Sequence, residues 1–279
     1  MSANTAAQEQ APLLNHTRVT APEREPERWL LVLHGIFGKG RNWSSIARRV
    51  VEARPEWGAL LVDLRLHGES RHFRPPHTVE TSAEDLHRLV DHLELPAAGV
   101  LGHSFGGKVA LAYARERPEG LAQLWVIDST PAIKVPSGAA WRMIETVRTL
   151  PEEFGSRAEA VEALQSHGYA KGLSQWMTMN LEVDDDVYRW TLNWNAMEAL
   201  LEDFFRTELW EAVENPPGEV ELHFVKATAS DTLDEEAVRR LEAAERENGR
   251  VFLHHLEGGH WINTDNPDAV VELLTSTLF

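Results

Sequence analysis

Four short, strongly apolar runs punctuate the first half of the chain: Trp29–His34, Ala59–Asp63, Ala98–Gly102 and Leu124–Asp128. Between them, Asn42–Ala53, Thr81–Leu95 and Ser104–Arg117 carry apolar residues at three- and four-residue spacing, as helices packed against a sheet do. Buried strands alternating with amphipathic helices are the mark of parallel βαβ units. The alternation stops near Ile133 and helical segments follow one another to Asn215 without a convincing strand. It resumes with Glu221–Lys226 and Val251–Leu256, each followed by a helix, at Asp234–Asn248 and Pro267–Leu278. Asp265 or Asn266 is placed to cap the last helix, with Pro267 in its first turn. The chain therefore reads as an α/β protein with a doubly wound, mostly parallel sheet, interrupted by a helical insertion. The expected organisation is a flexible tail over 1–13, a core over 14–132 and 216–279, and the insertion over 133–215.

Composition narrows the function. The 279 residues suit one domain with a sizeable insertion better than two equal domains. Cysteine is absent, which removes disulfides, Cys-ligated metals and thiol nucleophiles together. With 27 Lys and Arg against 44 Asp and Glu the formal charge is −17, unfavourable for nucleic acid as a partner. No run of 18 apolar residues could span a bilayer, and Met1–Pro12 lacks the basic and apolar regions of a signal peptide. A cytoplasmic protein is the expectation, and the sequence leaves its oligomeric state open.

In open α/β sheets ligands bind beyond the carboxyl ends of the strands. The third apolar run leads into Gly102-His103-Ser104-Phe105-Gly106-Gly107 and then directly into a helical pattern. This G-x-S-x-G spacing fits a sharp strand-to-helix turn that lifts the central serine above the sheet, with glycines where no side chain fits. The same letters also arise as a glycine-rich turn with serine as a helix cap; the flanking strand and helix favour Ser104 as a nucleophile. After the first run, His34-Gly35-Ile36-Phe37-Gly38 can aim a backbone N–H at the same place. The N–H groups of Ile36 and Phe105 are the candidate oxyanion donors. A general base is expected after the last strand, where Gly258-Gly259-His260-Trp261 stands; His260 is the candidate. The remaining histidines near these runs, His34, His67, His103, His254 and His255, read as packed or solvated.

Two aspartates satisfy the order Ser, acid, His. Asp128 ends a strongly apolar run, where an acid is costly without a partner. Asp231 follows Glu221–Lys226, but Thr232 with Glu235 forms a capping-box pattern that accounts for the acidic cluster there. Asp128 is preferred and Asp231 stays open.

Taken together, His34–Gly38, Asp63-Leu64-Arg65-Leu66-His67-Gly68-Glu69-Ser70, Gly102–Gly107 and Gly259-His260 resemble, in order and spacing, the α/β-hydrolase superfamily. The likeness is nearest to lid-bearing abhydrolase-domain esterases with a D-x-x-P motif, which Asp128-Ser129-Thr130-Pro131 matches. It implies the α/β-hydrolase fold, a helical lid over the site, and a serine hydrolase acting on carboxylic esters through an acyl-enzyme, with no cofactor and no metal. A thioesterase, lactonase or amidase would use the same residues, and a non-catalytic small-molecule-binding protein can share the fold. Asp63–Ser70 is expected to be a structural turn, with Asp63 and Arg65 holding loops together.

Five of the ten tryptophans (Trp141, Trp176, Trp190, Trp194, Trp210) and four of the five methionines fall within 133–215. Some of this apolar stock should face the substrate; Phe37, Trp176 and Trp261 are the expected pocket residues. The same span holds 15 Asp and Glu against 7 Lys and Arg, so its charge should favour apolar, uncharged esters over anionic ones.

Overall fold

The computed structural model describes residues 12–116 and 120–279. Most of the expected tail, and Arg117 at the end of one expected helix, lie outside the described residues. In chain order the elements are β1 (His16–Val19), β2 (Arg28–Leu33), α1 (Ser44–Ala53), β3 (Trp57–Val62), α2 (Val79–Leu93), β4 (Ala97–His103), α3 (Phe105–Glu116) and β5 (Gln123–Ile127). The insertion follows: α4 (Gly138–Val147), β6 (Glu153–Phe154), α5 (Arg157–Ser166), α6 (Lys171–Met177), β7 (Leu181–Asp184), β8 (Val187–Trp190), α7 (Trp194–Arg206) and α8 (Trp210–Glu214). The chain then returns as β9 (Glu221–Ala227), α9 (Glu235–Glu247), β10 (Val251–Leu256), α10 (Ile262–Asp265) and α11 (Pro267–Thr277).

Seven strands form one sheet in the order β1-β3-β2-β4-β5-β9-β10. Only β1 runs antiparallel, against β3; the other neighbours are parallel. Strand side chains alternate between two faces, and in β2 both faces are apolar. Leu31 and Leu33 join the core with α2, α3 and α9, while Leu30 and Val32 join Trp43, Trp57 and Trp125 beneath α1 and α11. Such double burial explains why these strands read as continuous apolar runs rather than alternating ones. The chain leaves β2 for β3 on one side and comes back to β4 on the other, so the strand order reverses at β2 and β4. A crevice opens there beyond the strand ends.

Two departures from the sequence reading have clear causes. The short edge strand β1 is half exposed and too polar to stand out. The insertion is not wholly helical: β6, β8 and β7 make a small antiparallel sheet. Its Leu181–Trp190 hairpin turns through Asp185 and Asp186, both at positive φ (48° and 65°). That is the conformation a two-residue hairpin requires, reached here without the Asn-Gly or Asp-Gly pair that would have signalled it. The last helix starts as expected, Asn266 accepting from the Ala269 N–H with Pro267 behind it.

Candidate active site

The loop after β2 and the turn after β4 meet at the reversal point, and Ser104 stands on that turn at φ 53°. A non-glycine residue holds such a backbone only under the constraint of its surroundings. Here the Ser104 N–H donates to the Ile127 carbonyl (2.9 Å) and its own carbonyl accepts from Gly107 (2.9 Å). The flanking glycines are sterically required. A Cβ on Gly102 would lie 2.1 Å from the Gly106 oxygen, and one on Gly106 would lie 2.6 Å from the His34 oxygen.

The structure brings Ser104, His260 and Asp128 into one hydrogen-bonded line. His260 Nε2 is 3.0 Å from Ser104 Oγ, and His260 Nδ1 is 2.7 Å from Asp128 Oδ2. Asp128 is fully buried at the end of β5, with φ 43°. Burial pushes its carboxyl pKa up, but hydrogen bonds from His260 and from Ser230 Oγ (2.5 Å) outweigh it and hold the group below the ordinary carboxylate range. Asp231 is exposed at the rim of the cavity that holds Ser104 and His260, and among the described residues no hydrogen bond or ion pair joins it to His260. Its neighbours serve the site instead: Ser230 grips Asp128, and Thr232 Oγ1 lies 3.2 Å from His260 Nδ1. Thr232 is therefore not the helix cap the sequence suggested. Asp234 caps α9, accepting from the Ala237 N–H (2.9 Å).

The N–H groups of Ile36 and Phe105 make no hydrogen bond within the protein among the described residues, and both residues line the cavity that holds Ser104 and His260. Their loop is braced by two imidazoles. His34 Nδ1–H donates to the Gly35 carbonyl (2.7 Å) while its Nε2 accepts from Leu64 N–H (3.0 Å). His67 Nδ1–H donates to the Arg65 carbonyl (2.9 Å) while its Nε2 accepts from Phe37 N–H (3.0 Å). Each ring is a neutral tautomer fixed by one donor and one acceptor. Burial lowers both pKa values, that of His67 to about 3. His103, also pushed down to about 3 by burial and then by the neighbouring His260, donates from Nε2 to the His260 carbonyl (2.7 Å). Its tie to His260 is not legible in the sequence because it depends on a loop far along the chain.

Asp63 and Arg65 do hold loops together. Asp63 accepts from Gly40 N–H (2.8 Å), Asn15 (2.9 Å) and Glu69 N–H (3.1 Å), and Arg65 makes a two-pronged buried pair with Asp85.

Of the expected pocket residues, Trp176 and Trp261 pack edge to face at 4.5 Å and line a cavity beside the site. Phe37 does not line it. It is buried against Trp194 (5.8 Å), with its carbonyl accepting from Asn180, because its positive φ turns the side chain into the core. The other insertion tryptophans serve packing: Trp190 meets Phe154 and Trp194, Trp141 meets Phe205, and Trp210 is buried beneath Arg240. None of the insertion's acidic residues lines either cavity at the site. Several pair with arginines at the surface, among them exposed Glu153 and Asp184 with Arg189, and half-buried Glu198 with Arg148. The expected acidic entrance is thus an acidic outer surface.

A seven-stranded, mostly parallel sheet with a strained serine at its reversal point, a histidine after the last strand and a buried aspartate between them defines a hydrolase of the α/β class. The chain belongs to the α/β hydrolase family, which matches residues 30–273. It is similar to the sn-1-specific diacylglycerol lipase ABHD11 of Mus musculus, 27% identical over 257 residues that cover 89% of this chain and 80% of that protein. In structure it is similar to a marine microorganism esterase, with TM-score 0.82 and 24% identity over 95% of this chain and 99% of that one. It is also similar to E-2-(acetamidomethylene)succinate hydrolase, with TM-score 0.76 and 19% identity over 94% of each chain.

Proposed function

We propose that the chain is a serine hydrolase of apolar, uncharged carboxylic esters, with Ser104 as nucleophile, His260 as general base and then acid, and Asp128 as the residue that orients His260. The observation that carries this reading is the unbroken line from Ser104 Oγ through His260 to Asp128 at 3.0 Å and 2.7 Å. The neutral base accepts the serine proton at Nε2 while its Nδ1–H is held by a carboxylate. Ser104 Oγ attacks the ester carbonyl as His260 takes its proton. The carbonyl oxygen gains negative charge facing the N–H groups of Ile36 and Phe105. The intermediate collapses with His260 returning the proton to the leaving alcohol, which frees an acyl-Ser104 ester. Water, deprotonated by His260, repeats the sequence and releases the acid.

The helical insertion acts as the lid in this reading, since Ala139, Ala140, Leu201, Phe204 and Phe205 wall the cavity above Ser104. That wall is apolar and suits an acyl chain. The names of the similar lipase and esterase point the same way. A fluorophosphonate probe should label the wild-type protein and not Ser104→Ala, and the variant should lose at least about 10⁴-fold in kcat on a neutral ester. Undiminished turnover by Ser104→Ala would overturn the mechanism, and a complete lack of turnover and labelling in the wild type would favour a binding protein.

A further inference from the structure

Two cavities lie side by side at the site. One, of about 340 Å³, contains Ser104 and His260 and extends under the insertion. The other, of about 310 Å³, lies on the far side of His103 and Trp261, and Gly35, His103 and Trp261 border both. The second cavity is built differently from the acyl-facing wall. Its sides are three indoles, Trp43, Trp176 and Trp261. Asn263 also borders this cavity, and its side-chain oxygen is buried without a hydrogen-bond partner among the described residues. A buried amide oxygen without a donor is costly, so it marks a place where a donor belongs. Asp265 also borders the cavity, with Oδ2 accepting from the Gly259 N–H (2.9 Å), which makes an anionic occupant unfavourable.

We infer that this second cavity is the subsite for the leaving alcohol, and that it selects an uncharged alcohol with a flat, aromatic face and one hydroxyl or N–H donor for Asn263 Oδ1. The inference rests on the proposed esterase chemistry, which supplies the direction. The general acid that protonates the leaving oxygen is His260, so the alcohol departs on the side of His260, and the cavity is walled by Trp261, the next residue. His103, the other shared wall, is bound to the His260 carbonyl. Flat rings suit indole walls because offset and edge-to-face contacts are favourable there, as Trp176 and Trp261 already show with one another. Gly35 stands where the cavities join, and a Cβ there would come within 3.1 Å of His103 Nδ1 and 3.2 Å of Ser104 Cβ.

The test compares three butyrates that differ only in the alcohol: ethyl, benzyl and 4-(hydroxymethyl)benzyl. For the wild type, kcat/KM should rise in that order. Asn263→Ala should lower it about tenfold for the hydroxymethyl ester, the scale of one lost hydrogen bond, and leave the ethyl and benzyl esters within about twofold. Trp176→Ala should lower the two benzyl esters and spare the ethyl ester. Binding of the free alcohol, 1,4-benzenedimethanol, followed through indole fluorescence, should weaken by the same factor in Asn263→Ala. Hydrolysis of all three esters with no dependence on Asn263 or Trp176, or equal losses on all three, would overturn the subsite and leave the esterase reading intact. Binding of the diol that depends on Asn263 without hydrolysis of any ester would overturn the esterase reading and keep the cavity's ligand class. Failure of both would overturn both.

Discussion

Asp128 holds its place through three donors: His260 Nδ1–H, Ser230 Oγ–H and, at 3.3 Å, the Ala227 N–H. In the proposed mechanism a carboxylate so paired fixes the His260 tautomer and stabilises the imidazolium formed during turnover. Asp128→Asn keeps the shape but presents an amide where the proton must be accepted, so it should cost roughly 10³–10⁴ in kcat. Asp231→Asn, at an exposed position, should leave kcat within about twofold. Steady-state kinetics of the two variants decide between them; a large loss confined to Asp231→Asn would reassign the acid. The sequence could not separate the pair, because both aspartates follow strands and both precede His260. What separates them is a backbone detail without a sequence code: Ala229-Ser230 turns so that Ser230 faces Asp128 and Asp231 is left exposed at the cavity rim. The serine turn was legible for the opposite reason, since its glycines answer to contacts of 2.1–2.6 Å that no other residue could survive.

At the scale of elements, the core is joined to the insertion through Lys108. It lies one helical turn beyond Ser104 on α3 and is fully buried. Its ammonium group donates to the carbonyls of Phe204 (2.5 Å) and Thr207 (2.7 Å), at the end of α7, and of Ala132 (2.9 Å), and sits over the Phe204 ring at 4.5 Å. The last carbonyls of a helix lack intrahelical donors, so a buried donor there pairs them, while burial lowers the Lys108 pKa to about 7. The same helix end supplies Phe204 and Phe205 to the cavity wall. Lys108→Met keeps much of the volume and removes all three donors, leaving buried carbonyls unpaired. A loss of about 3 kcal/mol is expected, or about 6–12 °C in Tm, together with a rise in KM for longer acyl chains that exceeds any fall in kcat. An unchanged Tm and an unchanged KM profile would show that α7 is held in place without this contact. A lysine inside an otherwise apolar helical stripe gives no sign in sequence of where its amino group goes, since two of its three partners come from the chain about a hundred residues later. The small sheet of the insertion escaped for a related reason: its strands are mostly exposed and carry no buried periodicity to read.

For the molecule as a whole, the strand and helix order was legible because the sheet is buried on both faces, and burial leaves long apolar runs. The price of that burial at the switch point is a set of imidazoles kept neutral: His34, His67 and His103, with His223 on β9 beside them in kind and lowered to about 4 by burial and by His254. Each has a folded pKa below the ordinary 6.5, so below pH 6.5 the unfolded chain takes up protons that the folded chain refuses. Stability rises with pH wherever the unfolded state binds more protons, hence it must fall as the pH drops from about 6.5 toward 3–4. Each such histidine contributes a slope of up to about 1.4 kcal/mol per pH unit within that window. The depressed carboxyls of Asp63 and Asp128 act in the same direction, but only once the pH approaches the ordinary carboxylate range. Urea unfolding at pH 7.5, 6.5, 5.5 and 5.0 should therefore show a modest fall between the first two, where buried Lys108 with its pKa lowered to about 7 also takes up a proton less readily than the unfolded chain, and a steep loss over the last two. His67 faces His34, Asp63 and Lys39 and sits where protonation would break the bond from Phe37 N–H. His67→Gln offers an uncharged acceptor in its place, so it should lower stability at pH 7.5 while flattening the decline below pH 6.5. A decline as steep in the variant as in the wild type would mean that groups other than His67 set the acid limit of the fold.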